Sequence, residues 1–211
     1  MTRASVDLYW LPLGAGGQPC VRSSGRSYEA LVARHEHRPA RDLYHSALEV
    51  LVAGETFVIE MTPVWGATQP ERGVVCEGPV GHPWLGRSRF FRYEVRRWRN
   101  GTIPDAAAAV GSPLRLSTSE VQARELLALV PQFRTATWGR DELRTGEMWN
   151  SNSLISWLLV SSGHDARSMA PPLHGRAPGW LAGAVVAERS LVSRDVHTGS
   201  VHCRAGLLSN L

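Results

Sequence analysis

The sequence has no lysine. Its 23 strongly basic side chains are all arginine, and 19 acidic residues bring the formal charge to +4. An all-arginine set follows from a GC-rich coding sequence, whereas directed nucleic-acid binding needs a basic patch interleaved with stacking aromatics. The nearest approach to one is Arg87-Ser88-Arg89-Phe90-Phe91-Arg92-Tyr93-Glu94-Val95-Arg96-Arg97-Trp98-Arg99. It reads as a β-strand, with Phe91, Tyr93 and Val95 facing inward and Arg92, Glu94 and Arg96 outward. No nucleic-acid partner is therefore expected. Cysteine is scarce as well: Cys20, Cys76 and Cys203 are far apart and form no CxxC pair, which argues against a zinc ribbon and for a reducing compartment. His35 and His37 have no carboxylate cluster beside them, so no metal site is expected, and no cofactor is required. No run approaches the roughly 18 apolar residues of a membrane span, and the first residues lack the apolar centre of an export signal, so a cytoplasmic protein is expected. Gly-x-Ser-x-Gly is absent, which removes the common hydrolase elbow. The cluster Gly14-Ala15-Gly16-Gly17 lacks the Lys-Ser/Thr of a phosphate loop and reads as a turn.

What is present suits one globular domain. Over 211 residues, 43% are hydrophobic and 20% charged, enough to bury a substantial core. The domain is expected to span 1–211, with a loosely ordered tail from about 195. A short strand over 6–13 precedes a weak helix over 27–35. The strongest β signal follows: residues 43–52 and 56–61 flank Ala53-Gly54-Glu55, two β-rich runs around a glycine turn, hence a hairpin. A third strand lies around Val74-Val75-Cys76, and the Arg/Phe run is the fourth. Residues 104–113 read as a connector. Residues 120–130 form an amphipathic helix with Ser117 or Thr118 as its cap. A polar loop over 138–147 leads to a helix starting near Ser151 and ending near Ser162-Gly163. A rigid loop over 171–180 follows, and residues 181–187 read as a late strand or helix. Strands grouped together and helices grouped together define an α+β fold, an antiparallel sheet packed against helices.

The most informative stretch is Trp149-Asn150-Ser151-Asn152-Ser153-Leu154-Ile155-Ser156-Trp157-Leu158-Leu159. Leu154, Ile155 and Leu158 follow Ser151 at helical spacing, so its hydroxyl points inward from a helix N-terminus. Backbone N–H groups and the helix dipole favour negative charge there. That is a mount for a nucleophile, but Asn150, Ser151 and Asn152 are all good N-caps and one of them must cap. His45, in the leading hairpin strand, is a candidate general base or a satisfied structural residue. Glu49 shares its strand face. Glu60 joins that face only if the hairpin loop has two residues, and a three-residue loop sends it to the other. Trp138-Gly139-Arg140-Asp141 and the loop over 175–180 offer tryptophan and arginine to wall a pocket. His164-Asp165 lies about three turns beyond Ser151, too far to share its site.

His45-Ser46-Ala47-Leu48-Glu49-Val50 followed by Asn150-Ser151-Asn152-Ser153-Leu154 resembles the circularly permuted papain-like families: the PPPDE peptidases, the lecithin:retinol acyltransferase group and permuted NlpC-type enzymes. There a histidine strand precedes a helix that opens Asn-Cys-Asn. The resemblance covers residues 42–62 and 147–160. It implies a permuted papain-like core and acyl transfer on a peptide, ester or other acyl substrate by a hydrolase or acyltransferase. Ser151 would be the nucleophile, His45 the base and Glu60, less so Glu49, its orienting carboxylate; Trp149, Asn150 and Asn152 would shape the substrate site. The departure is Ser151 itself, which stands where those families carry cysteine. A hydroxyl ionises far less readily than a thiol and needs a better oriented base. Three accounts of it stand open: a serine version of the site, a relative that binds a peptide, lipid or protein without catalysis, or a cysteine replaced to trap a complex.

Overall fold

The structure is a computed structural model that describes residues 3–15, 19–64, 73–111 and 113–205, with backbone alone at 19–22 and 194–205. Strands β1 (Ser5–Pro12), β2 (Asp42–Val52), β3 (Glu55–Pro63), β4 (Val74–Pro79), β5 (Arg92–Arg99) and β6 (Leu114–Ser117) form one antiparallel sheet. Their order is β4-β5-β3-β2-β1-β6, and the short β7 (Gly175–Arg176) runs parallel to the start of β2. Helices α1 (Pro19–His35), α2 (Glu120–Leu129), α3 (Ser151–Ser161) and α4 (Trp180–Ala205) complete an α+β fold. Among the described residues no helix is long and apolar enough to cross a membrane. The tail expected from about residue 195 continues α4 as far as Ala205, and 206–211 lie outside the described residues. Gly16 and Gly17 of the glycine cluster lie outside them too.

The β2–β3 hairpin turns on two residues, because Val52 pairs with Glu55. Ala53 and Gly54 have φ of 52° and 80°, the left-handed pair that matches strand twist in a tight hairpin. The two-residue alternative therefore holds, and Glu60 shares a face with His45.

The core lies on the opposite face. Leu8, Leu48, Val50, Ile59, Tyr93 and Val95 meet Leu126 of α2 and Leu154, Ile155, Leu158 and Leu159 of α3. Each of those four α3 side chains is at most 0% exposed, so each contributes roughly 1.5–3 kcal/mol of apolar burial. All residues from Ser151 to Leu159 are buried, because α4 crosses α3 on the side away from the sheet. That crossing is close enough that a Cβ on Gly183 would overlap the Ser153 carbonyl oxygen and Ser156 Oγ. Gly183→Ala is expected to lower stability by about 2–3 kcal/mol by overpacking, despite alanine's better helix propensity. Urea unfolding of the variant checks this, and an unchanged or raised midpoint would refute the close crossing.

Several sequence expectations need correction. Residues 87–91 are not strand: Pro83–Arg87 and Arg89–Phe91 are 3-10 turns, and β5 begins at Arg92. Glu94 and Arg96 do not face solvent: they are 2% and 8% exposed on a strand that lies between β4 and β3. Arg96 is buried between two carboxylates, with Nε 2.5 Å from Glu94 and Nη1 2.6 Å from Glu60. The cap of α2 is Ser119, which accepts from the Gln122 N–H; Ser117 Oγ accepts from the Ser119 N–H instead. Residues 181–187 belong to α4.

Candidate active site

The β2–β3 ladder stops at Leu48↔Ile59, while β3 stays paired with β5 as far as Pro63. The first half of β2 thus leaves β3 and opens a fork in the sheet. The N-terminus of α3 enters that fork. Asn152 Nδ2 donates to the Tyr44 carbonyl (3.0 Å), and Asn152 Oδ1 accepts from Ser46 Oγ (2.8 Å). These bonds replace the ladder that β3 no longer supplies. The same amide nitrogen donates to the Pro178 carbonyl (2.9 Å) and so fastens the loop before α4.

The cap of α3 is Asn150. Its Oδ1 accepts from the N–H of Asn152 (2.9 Å) and of Ser153 (3.4 Å), and Ser153 Oγ accepts from the Asn150 N–H (3.1 Å), a complete capping box. Asn150 Nδ2 donates to Pro178 O (2.8 Å). Ser151 is consequently the first helical residue with no capping duty. Among the described residues neither its Oγ nor its N–H has a hydrogen-bond partner.

Ser151, His45 and Glu60 line one cavity of about 160 Å³ in the fork. Leu11, Leu13, Met61, Pro63, Ile103 and Pro104 supply apolar walls, and Gly14, Thr62, Asp105 and Trp138 complete it. Trp138 is set by backbone bridges to Val80 and to Trp149 and by edge contact with Tyr93 at 5.7 Å. The Tyr93 hydroxyl donates to Ala136 O (2.8 Å). Of the stretch Trp138-Gly139-Arg140-Asp141, Trp138 alone lines the cavity. The loop over 175–180 does not: Arg176 is spent on Glu29 (3.0 Å), and Trp180 packs on Trp10 at 4.8 Å.

Burial pushes the His45 imidazole down to about 4, so it is neutral through the physiological range. Among the described residues its ring has no hydrogen-bond partner, Ser151 Oγ included. Glu60 is raised, first by burial, with Arg96 opposing and Glu94 and Asp105 adding to the rise. Its hydrogen bond goes to Arg96 at 2.6 Å, not to His45.

The remaining sequence candidates stand elsewhere. Glu49 pairs across the strands with Asp7 and Val58 and does not line the cavity; four residues along β2 is about 13 Å from His45. Trp149 does not shape the site: its indole is 1% exposed, stacked on Phe133 at 5.0 Å, with Nε1 donating to Arg134 O (3.1 Å). Asn150 and Asn152 place the helix and leave the cavity wall to others. His164 lies past the far end of α3, its Nδ1 3.0 Å from Ser162 Oγ. Among the described residues no cluster of three His, Cys, Asp or Glu side chains could hold a metal ion. Sequence reasoning missed Asp105, which sits in an apparent connector, and Ile103, just before it, because neither belongs to a periodic stretch. Leu11 was within reach, because it lies opposite His45 in the β1–β2 register.

No protein-family model, curated protein or solved structure matches this chain.

Proposed function

We propose that the chain is an acyl-transfer enzyme, a hydrolase or acyltransferase of an amide or ester, built on a circularly permuted papain-like core. One observation carries the reading: residues from a hairpin strand and from a distant helix start, Ser151 and His45, open into the same cavity while Asn150 relieves Ser151 of capping. In this mechanism Ser151 Oγ attacks the acyl carbon as neutral His45 takes its proton. His45 then returns the proton to the departing amine or alcohol. Water, or a second acceptor, releases the acyl group by the same route. The Ser151 N–H, at the positive end of α3, receives the charge that develops on the carbonyl oxygen. Glu60 is held by Arg96 and lines the same cavity without touching His45.

The test is labelling by a fluorophosphonate. Wild type is expected to react at Ser151, and Ser151→Ala is expected to lose labelling by at least about 10³-fold with its melting curve unchanged. Equal labelling of the two proteins refutes the serine nucleophile. A second reading, a scaffold that binds an acyl ligand without turning it over, is favoured by the Glu60–Arg96 pair, which leaves His45 without a carboxylate partner. Its signature is no labelling of wild type together with ligand-induced stabilisation that Ser151→Ala retains.

A further inference from the structure

The turn between β4 and β5 exposes three aromatic rings that the acyl-transfer reading does not use. Trp84 is 63% exposed, Phe90 68% and Phe91 43%. They do not stand out for want of order. Residues 80–91 form a closed loop whose ends meet through Val80 N–H to Phe91 O (2.8 Å). Inside it, N–H groups of Leu85, Ser88 and Phe91 donate to the carbonyls of His82, Leu85 and Ser88 at 2.9–3.0 Å. Half-buried Leu85 anchors it, and Gly86 lies against Pro79, where a Cβ would meet the proline ring. The backbone is thus self-satisfied, and none of the residues in its two 3-10 turns is buried. A fixed loop that holds three large rings in water presents a surface and does not merely connect strands.

The charges on the loop select what covers it. Arg87 and Arg89 lie between Trp84 and Phe90 in the chain and are exposed, and among the described residues neither has a carboxylate within ion-pairing distance. The acid at the loop's base, Glu77, is taken by Arg92 at 2.7 Å. The tip is therefore apolar and cationic at once. An anionic lipid surface matches both properties: rings settle among the headgroups and upper acyl chains, while guanidinium groups bind phosphates. A nucleic acid would need a longer track of cations than these two arginines. The loop's base is joined to the cavity, because Gly81 N–H donates to the carbonyl of Trp138 (2.9 Å), a wall residue.

We propose that residues 80–91 dock the protein peripherally on an anionic membrane surface. The docking rests on the loop alone and stands apart from the acyl-transfer reading.

Sedimentation with vesicles tests this, using phosphatidylcholine alone and phosphatidylcholine with about one-third phosphatidylglycerol. Wild type and Ser151→Ala are expected to sediment with the anionic vesicles and to stay in solution with phosphatidylcholine. The combined Trp84→Ala, Phe90→Ala, Phe91→Ala variant is expected to lower the vesicle partition coefficient by about tenfold or more, with far-UV dichroism unchanged. Arg87→Gln with Arg89→Gln should also weaken partition and flatten its dependence on salt. Failure of wild type to bind anionic vesicles overturns the proposal. So does equal binding by the aromatic variant, or retention on a single-stranded oligonucleotide that only the aromatic variant loses.

Discussion

Asn152→Ala is expected to lower the unfolding free energy by about 2–4 kcal/mol, because it strips three hydrogen bonds and leaves the Tyr44 carbonyl and Ser46 Oγ without a partner, while the Pro178 carbonyl keeps Asn150 Nδ2. Asn152 is 2% exposed, so water does not refill the gap. Its amide nitrogen serves the Tyr44 and Pro178 carbonyls, and its oxygen serves Ser46 Oγ. The Tyr44 carbonyl suffers most, since it lies on the strand edge that β3 has left. Asn152→Asp is expected to be at least as damaging, because a carboxylate accepts from Ser46 but opposes two carbonyl oxygens. Ser46→Ala removes one bond only and should cost about 1 kcal/mol. Urea unfolding of the three variants measures this ordering. Labelling at Ser151 should fall with Asn152→Ala as well, because the helix start loses its hold on the histidine strand. That coupling separates it from Ser151→Ala, where labelling is lost and stability kept. An Asn152→Ala protein as stable as wild type would mean that α3 is held in the fork by apolar packing alone.

The hairpin was legible because its signals are local: β-branched runs on either side and a glycine turn. The face of Glu60 was legible only as a condition on turn length, and the left-handed pair Ala53-Gly54 resolves it. The cap of α3 was not legible from Asn150-Ser151-Asn152, since all three residue types cap well. Tertiary demand decides it. The carbonyls of Tyr44 and Pro178 need N–H donors, which amide side chains have and serine cannot supply in the same geometry, so both asparagines are committed to structure. Trp149 read as a site residue because of its neighbours in sequence, but its ring meets Phe133 and Trp157 lies edge-on to the same ring. Glu94 and Arg96 alternate as solvent-facing residues should. Both are nonetheless buried, and the ion pairs of Arg96 with Glu60 and Glu94 that make this tolerable are invisible in a linear pattern. Phe90 and Phe91 were absorbed into an apparent strand because the alternation from Phe91 to Arg96 imitates a period of two.

Acidification from pH 7 to pH 4 is expected to destabilise the protein through His45, and replacing that residue by glutamine should remove much of the loss. The imidazole protonates near 6.5 when unfolded and, desolvated in the fold, near 4. Between those values unfolding takes up a proton, so the contribution is complete above about 6.5, declines as pH falls, and levels off below about 4. At about 1.4 kcal/mol for each tenfold change in proton affinity, it reaches roughly 3 kcal/mol. Buried His164 is lowered as well and acts with the same sign, whereas Glu60, raised by burial, acts with the opposite sign. The difference between wild type and His45→Gln therefore isolates His45. Urea midpoints should converge as pH falls from 7 towards 4, and parallel curves would mean that the ring is solvated. The same protonation governs chemistry. An imidazole at 6.5 would be about nine-tenths protonated at pH 5.5 and useless as a base, but at about 4 it stays neutral. Fluorophosphonate labelling of wild type should accordingly hold level from pH 7 to pH 5 and fall only near pH 4. A fall centred near 6.5 would show that His45 meets water in the working protein. The low proton affinity that keeps His45 neutral also makes it a weak base, so Ser151 should acylate slowly until a ligand fills the cavity and draws the hydroxyl and the ring together.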